Sequence, residues 1–124
     1  MTNPKMLDVS ALLAYCGLIF WLSAQERLPM PAVFDFQDKF LHYAAYFVMG
    51  VLAVRALRHF VRSRERITLI AALFCSLYGL SDEWHQSFVP GRDASFSDWL
   101  ADSIGAVMAV WVMSRFLVST QKND

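Results

Sequence analysis

The sequence predicts an all-α membrane protein: four transmembrane helices in an up-down bundle, with both termini cytoplasmic. Three observations carry this reading. The 124 residues are 56% hydrophobic and 18% charged with mean hydropathy +0.37, more apolar and less charged than a soluble domain, which is about half apolar and about a quarter charged. Four apolar runs, each near the ~20 residues that a helix needs to cross a bilayer, are separated by short connections. Lysine and arginine are concentrated in alternate connections, as in chains that retain their basic residues on the cytoplasmic side. A length of this order corresponds to one domain, 1–124.

The first span is expected at about 7–24. It has the look of a signal peptide, but Leu22 stands three residues from a cut after Ala24, where a small residue is wanted, so it reads as a retained span. Pro29 and Pro31 break the connection to a second span at about 40–57. The cationic stretch 58–66 leads to a third at about 67–84, and Pro90-Gly91 turns the chain into a fourth at about 99–118. Such short connections join antiparallel neighbours, which gives the up-down order. Cys16 and Cys75 sit in apolar runs with no CxxC or Cys/His spacing and read as core packing.

The N-terminus, second connection and C-terminus carry Lys5, Arg55, Arg58, Arg62, Arg64, Arg66, Arg115 and Lys122. The other side carries only Arg27, Lys39 and Arg92, which places both termini in the cytoplasm. Acidic residues do the reverse: Glu26, Asp35, Asp38, Asp82, Glu83, Asp93, Asp98 and Asp102 are eight of the eleven, so the outer side is formally −5. Zero net charge excludes an overall basic surface, and the arginines of the second connection read as topology signals and contacts to anionic lipid, not as a nucleic-acid patch.

The outer side also holds the candidate site. Asp38, His42 and Tyr46 recur every four residues and share one stripe of the second helix. The third helix ends in Asp82, Glu83, Trp84, His85 and Gln86; Asp82 and Gln86 share a face, with Glu83 about 100° away. Asp98 and Asp102 repeat the four-residue spacing in the fourth helix, followed by Gly105, which lets a neighbouring backbone approach. Carboxylates at membrane depth face a bundle interior and a partner, so the stripes should converge. Six carboxylates at close quarters require internal cations, a bound metal or retained protons. Arg92, directed back over the bundle by Pro90-Gly91, is expected to be the principal cation and to clamp Asp82, Glu83 or an incoming anion, while Lys39 snorkels to the interface.

Structural readings stand beside these. Ser95 can cap the fourth helix with Asp98 complementing its dipole, and His42 and Tyr46 can be hydrogen bonds between helices. Trp21, Trp84, Trp99 and His85 read as an interfacial belt.

Two blocks, Asp38 to Tyr46 (DKFLHYAAY) and Ser81 to Arg92 (SDEWHQSFVPGR), the second continuing through Asp98 to Gly105, resemble the VanZ-like membrane proteins. With the hydropathy, the resemblance extends over 7–116. The family pattern usually has asparagine where this chain has Asp102. The resemblance implies a bacterial cell-envelope protein of the inner membrane, related to a component of teicoplanin resistance. Two functions follow for the cluster of Asp38, His42, Tyr46, Asp82, Glu83, Gln86, Arg92, Asp98 and Asp102. One is a pocket for a polar or anionic ligand, a lipid headgroup or a cell-wall precursor. The other is a membrane-embedded hydrolase or transferase acting on a lipid-linked phosphate, with a divalent cation held by carboxylates and His42. No HExxH or comparable spacing supports the second.

Overall fold

The computed structural model describes residues 3–25, 37–92 and 94–121, with side chains through residue 116. The described residues form four helices and no strand: α1 Pro4–Ser23, α2 Gln37–Leu57, α3 Arg64–Gln86 and α4 Phe96–Gln121. The connection with Pro29 and Pro31, and Asp93, lie outside the described residues.

Each helix begins about one turn before its apolar run, because the start is set by hydrogen bonding and not by hydropathy. Asn3 caps α1 by accepting from Lys5 N, ahead of Pro4 in the first turn. Ser63 Oγ accepts from Arg66 N at 3.3 Å to start α3, and Ser95 Oγ accepts from Asp98 N at 3.1 Å to start α4, the cap expected for that helix. Between α3 and α4, Gly91 takes φ +80° and Arg92 N donates to Val89 O, a tight turn that requires the glycine after Pro90.

Close backbone approach organises the bundle. A Cβ on Gly105 would lie 2.2 Å from the Tyr43 carbonyl oxygen, and one on Gly50 would lie 2.8 Å from the Ala106 carbonyl oxygen. Neither has room for a methyl group, so α2 and α4 pack backbone to backbone along a seam of small residues that includes Ala106 and Ala109. Tyr46, Met49, Val54, Ile67, Cys75 and Val110 fill the interior around this seam. Helix α1 lies against α2 and α3, tied by Tyr15 Oη to Ala45 O and Tyr78 Oη to Cys16 O, each 2.5 Å. Both cysteines are unpaired and Cys75 is fully buried, in keeping with a packing role.

Outward faces carry Leu13, Leu69, Leu77, Ile104, Val107 and Trp111, an apolar coat suited to lipid. Helices α1 and α2, and α4 over Phe96–Phe116, are long and apolar enough to cross a membrane. This is a multi-pass membrane protein. Helix α3 has the length, 23 residues, but not the apolar composition, because Arg64, Glu65 and Arg66 open it and Asp82, Glu83, His85 and Gln86 close it.

Candidate functional site

The C-terminal ends of α1 and α3 and the N-terminal ends of α2 and α4 meet at one end of the bundle. His42 stands at their centre. Its Nδ1 lies 2.8 Å from Asp102 Oδ1 and 3.9 Å from Glu83 Oε1; its Nε2 lies 3.8 Å from Asp98 Oδ2 and 3.9 Å from Asp38 Oδ1. The Lys39 ammonium is bonded to Asp98 and stands 3.6 Å from Asp38. Tyr46 Oη donates to Asp82 Oδ2 at 3.2 Å, and Ser95 N donates to Glu83 Oε2 at the same distance.

Of the nine residues singled out from the sequence, Tyr46, Asp82, Glu83, Gln86, Asp98 and Asp102 are buried, and His42 is mostly so. Asp38 sits at the rim with its side chain 71% exposed, because α2 begins at Gln37 and leaves its first turn at the edge of the bundle. Arg92 is half-buried and faces the cluster across a cavity, but makes no ion pair with Asp82, Glu83 or any other described residue. The cation that reaches the carboxylates is Lys39, expected from the sequence to lie at the interface. Lys39 lies four residues before Tyr43, whose carbonyl meets Gly105, so the same face of α2 that touches α4 carries the ammonium to Asp98.

Two supposed belt residues also turn inward. His85 stacks on Phe20 with ring centroids 4.5 Å apart and has Nδ1 3.2 Å from Ser23 Oγ, fastening α3 to α1. Trp99 Nε1 donates to Ser76 O at 2.9 Å. Trp21 and Trp84 remain exposed as expected.

A cavity of about 320 Å³ opens beside the cluster. Its lining is mixed: Ile19, Leu22, Leu41 and Ala45 are apolar, and Ser23, Asp38, His42, Tyr46, Asp82, Gln86 and Arg92 bring polar groups. Such a lining suits a molecule with one greasy and one polar part.

A further polar cluster, unforeseen from the sequence, lies at the opposite end. Asp8 of α1 is buried and bonded to Arg55 Nε and Arg58 Nη2 at 3.2 Å and to His59 Nε2 at 2.7 Å. A lone acid in an apolar run was the available signal, since such a residue demands an internal partner.

The fold and the polar end define a helical, multi-pass membrane protein with an acidic interior cluster at one end of its bundle. The chain belongs to the VanZ/LLP1 family, whose model matches residues 11–118. No significant match is found among curated proteins or among solved structures.

Proposed function

We propose that this protein resides in the bacterial cytoplasmic membrane and receives the polar head of an amphipathic ligand, a lipid headgroup or a lipid-linked cell-wall precursor, in the cavity at the acidic end of the bundle. The observation that carries the reading is the mixed lining of that cavity, in which the apolar side chains of Ile19, Leu22, Leu41 and Ala45 accompany the polar groups of His42, Asp82, Gln86 and Arg92. Arg92, held half-buried on the turn after Gly91 and without an ion-pair partner among the described residues, is available to an anionic group of the ligand.

The acidic end is the outer one in this reading, with both termini cytoplasmic, from the eight-to-three bias of lysine and arginine. All four helices cross. Helices α2 and α4 run in the same direction, with Lys39 beside Asp98, so the chain between them has to return through the membrane, and α3 at ~1.5 Å per residue is long enough to do so. Its polar ends lie at the two surfaces or are packed inside. In intact cells, and with Cys16 and Cys75 replaced, an impermeant thiol reagent should label Ser87→Cys and not Arg62→Cys; the reverse pattern would invert the topology.

The ligand reading is tested with purified protein and photoreactive analogues of a polyprenyl phosphate and of phosphatidylglycerol. Saturable crosslinking to residues of the cavity is expected, with at least a tenfold loss in Arg92→Gln, a loss not repaired in Arg92→Lys, and no change in Arg62→Gln. Absence of saturable crosslinking by either probe, or an equal loss in Arg62→Gln, overturns it.

A second reading, a hydrolase or transferase acting on a lipid-linked phosphate, draws on one observation. The Asp102 carboxylate holds the His42 imidazole at 2.8 Å, an arrangement that orients an acid–base group. It predicts phosphate release from a polyprenyl phosphate that His42→Gln abolishes while crosslinking persists.

A further inference from the structure

The acidic end holds more buried carboxylate than its own cations can balance. Asp82, Glu83, Asp98 and Asp102 are each at least nine-tenths buried. Lys39 serves Asp98 from the rim, and Tyr46 gives Asp82 one hydrogen bond. Two oxygens remain unpartnered in the interior: Glu83 Oε1 and Asp102 Oδ2, on residues 7% and 0% exposed. A buried acceptor without a partner costs about 1–3 kcal/mol, and more when it carries charge, so two such atoms in one cluster around His42 call for a partner that the chain itself does not supply.

We propose that one divalent transition-metal ion binds between His42, Glu83 and Asp102, just beneath the cavity. The donor atoms come from α2, α3 and α4, and one from each residue lies within 4.8 Å of the others. His42 Nδ1 is 2.8 Å from Asp102 Oδ1 and 3.9 Å from Glu83 Oε1. Donors about 2.1 Å from a metal are separated by about 3 Å when adjacent and about 4.2 Å when opposite, so small side-chain adjustments suffice. One imidazole nitrogen and two carboxylates suit Mn²⁺, Fe²⁺ or Zn²⁺ better than Ca²⁺, which takes oxygen ligands alone. The hydrogen bond between His42 and Asp102 occupies the position the ion would take, and the imidazole must give up that proton to coordinate.

A neighbouring set, Asp38, His42 and Asp98, has similar spacing, but the Lys39 ammonium already lies between its two carboxylates. The inner set has no such cation. An ion there also deepens the lipid reading, and rests on it for this step alone: its positive charge beside His42, which lines the cavity, would let a locally acidic site accept an anionic headgroup.

The test uses the full chain purified in detergent micelles, stripped with chelator and free of added lipid. It is titrated with Mn²⁺, followed by the free-ion electron paramagnetic resonance signal, and with Zn²⁺, followed by calorimetry. One ion per chain is expected, with at least a tenfold weaker affinity in Glu83→Gln and in Asp102→Asn and an unchanged affinity in Asp38→Asn. Each variant is checked for helix content, and Glu83→Gln decides alone if Asp102→Asn does not fold. Absence of saturable binding by both ions overturns the site, as does binding that Glu83→Gln leaves intact or that depends on Asp38. Stoichiometric ion binding without lipid crosslinking would sink the lipid reading and leave the ion in place.

Discussion

The two polar ends of the bundle solve the same problem in opposite ways. At one end a single buried carboxylate, Asp8, meets two guanidinium groups and an imidazole, and both of its oxygens are bonded. At the other end four buried carboxylates share one ammonium and one imidazole, and two oxygens have no partner. The first arrangement stabilises: it ties the start of α1 to the end of α2, with only Arg58 Nε left unpartnered. The second is poorly compensated by the chain, and buried acceptors of this kind call for a partner such as an ion, a water or a ligand. A cavity adjoins the second cluster, and Lys5 over the Phe60 ring adds another tie at the first.

Gly105→Val should have the largest effect on this contrast, because it attacks the seam that brings the carboxylates of the acidic end together. With the Tyr43 carbonyl 2.2 Å from where a Cβ would stand, α4 must move off α2, at a cost of about 3 kcal/mol or more. Denaturation in mixed micelles should show the loss. A variant as stable as the parent would mean that the seam does not hold the site together.

Asp8→Asn comes next. It leaves two arginines without their carboxylate, and because Arg55 is half-exposed the expected loss is about 1–3 kcal/mol, less than for a fully buried network. Lipid crosslinking at the far end should be unchanged once the protein is folded. If crosslinking falls while stability holds, the two ends have been assigned the wrong way round.

Tyr46→Phe removes one hydrogen bond from buried Asp82 and should cost about 1 kcal/mol. It should also weaken ligand crosslinking, since the ring lies in the cavity wall. A stability loss with unaltered crosslinking would restrict Tyr46 to tying α2 to α3.

The smallest shift is expected for Asp102→Asn in the presence of chelator, and its sign is the informative part. Removing a buried charge that has one unpartnered oxygen should leave stability within about 1 kcal/mol of the parent, on the favourable side. Once the chelator is removed, its affinity for the ion should still be at least tenfold weaker than the parent's. A destabilisation as large as that of Asp8→Asn would erase the distinction between a structural and a functional end.

Much of the acidic cluster is legible because it rests on local rules. The four-residue spacing of Asp38, His42 and Tyr46, and of Asp98 and Asp102, places side chains on common stripes whatever the neighbours are. The cost of exposing acids to lipid then turns the stripes inward. The places of Lys39 and Arg92 are not legible because neither case is local: which face of α2 meets α4 depends on Gly50 and Gly105 finding Ala106 and Tyr43 in another helix. Trp99 and His85 look interfacial in the sequence for the same reason, since their partners Ser76, Ser23 and Phe20 are distant in the chain.

By itself, then, the amino-acid sequence determined the four helices, the membrane as the solvent of the bundle and the family, because hydropathy, caps and motif spacing act over a turn or two of chain. Only the tertiary structure decided which cation reaches which carboxylate, that Asp8 is clamped, and that Glu83 and Asp102 keep unpartnered oxygens. Those outcomes depend on the rotation of each helix about its axis, which is set by contacts between residues about 30 to 60 positions apart.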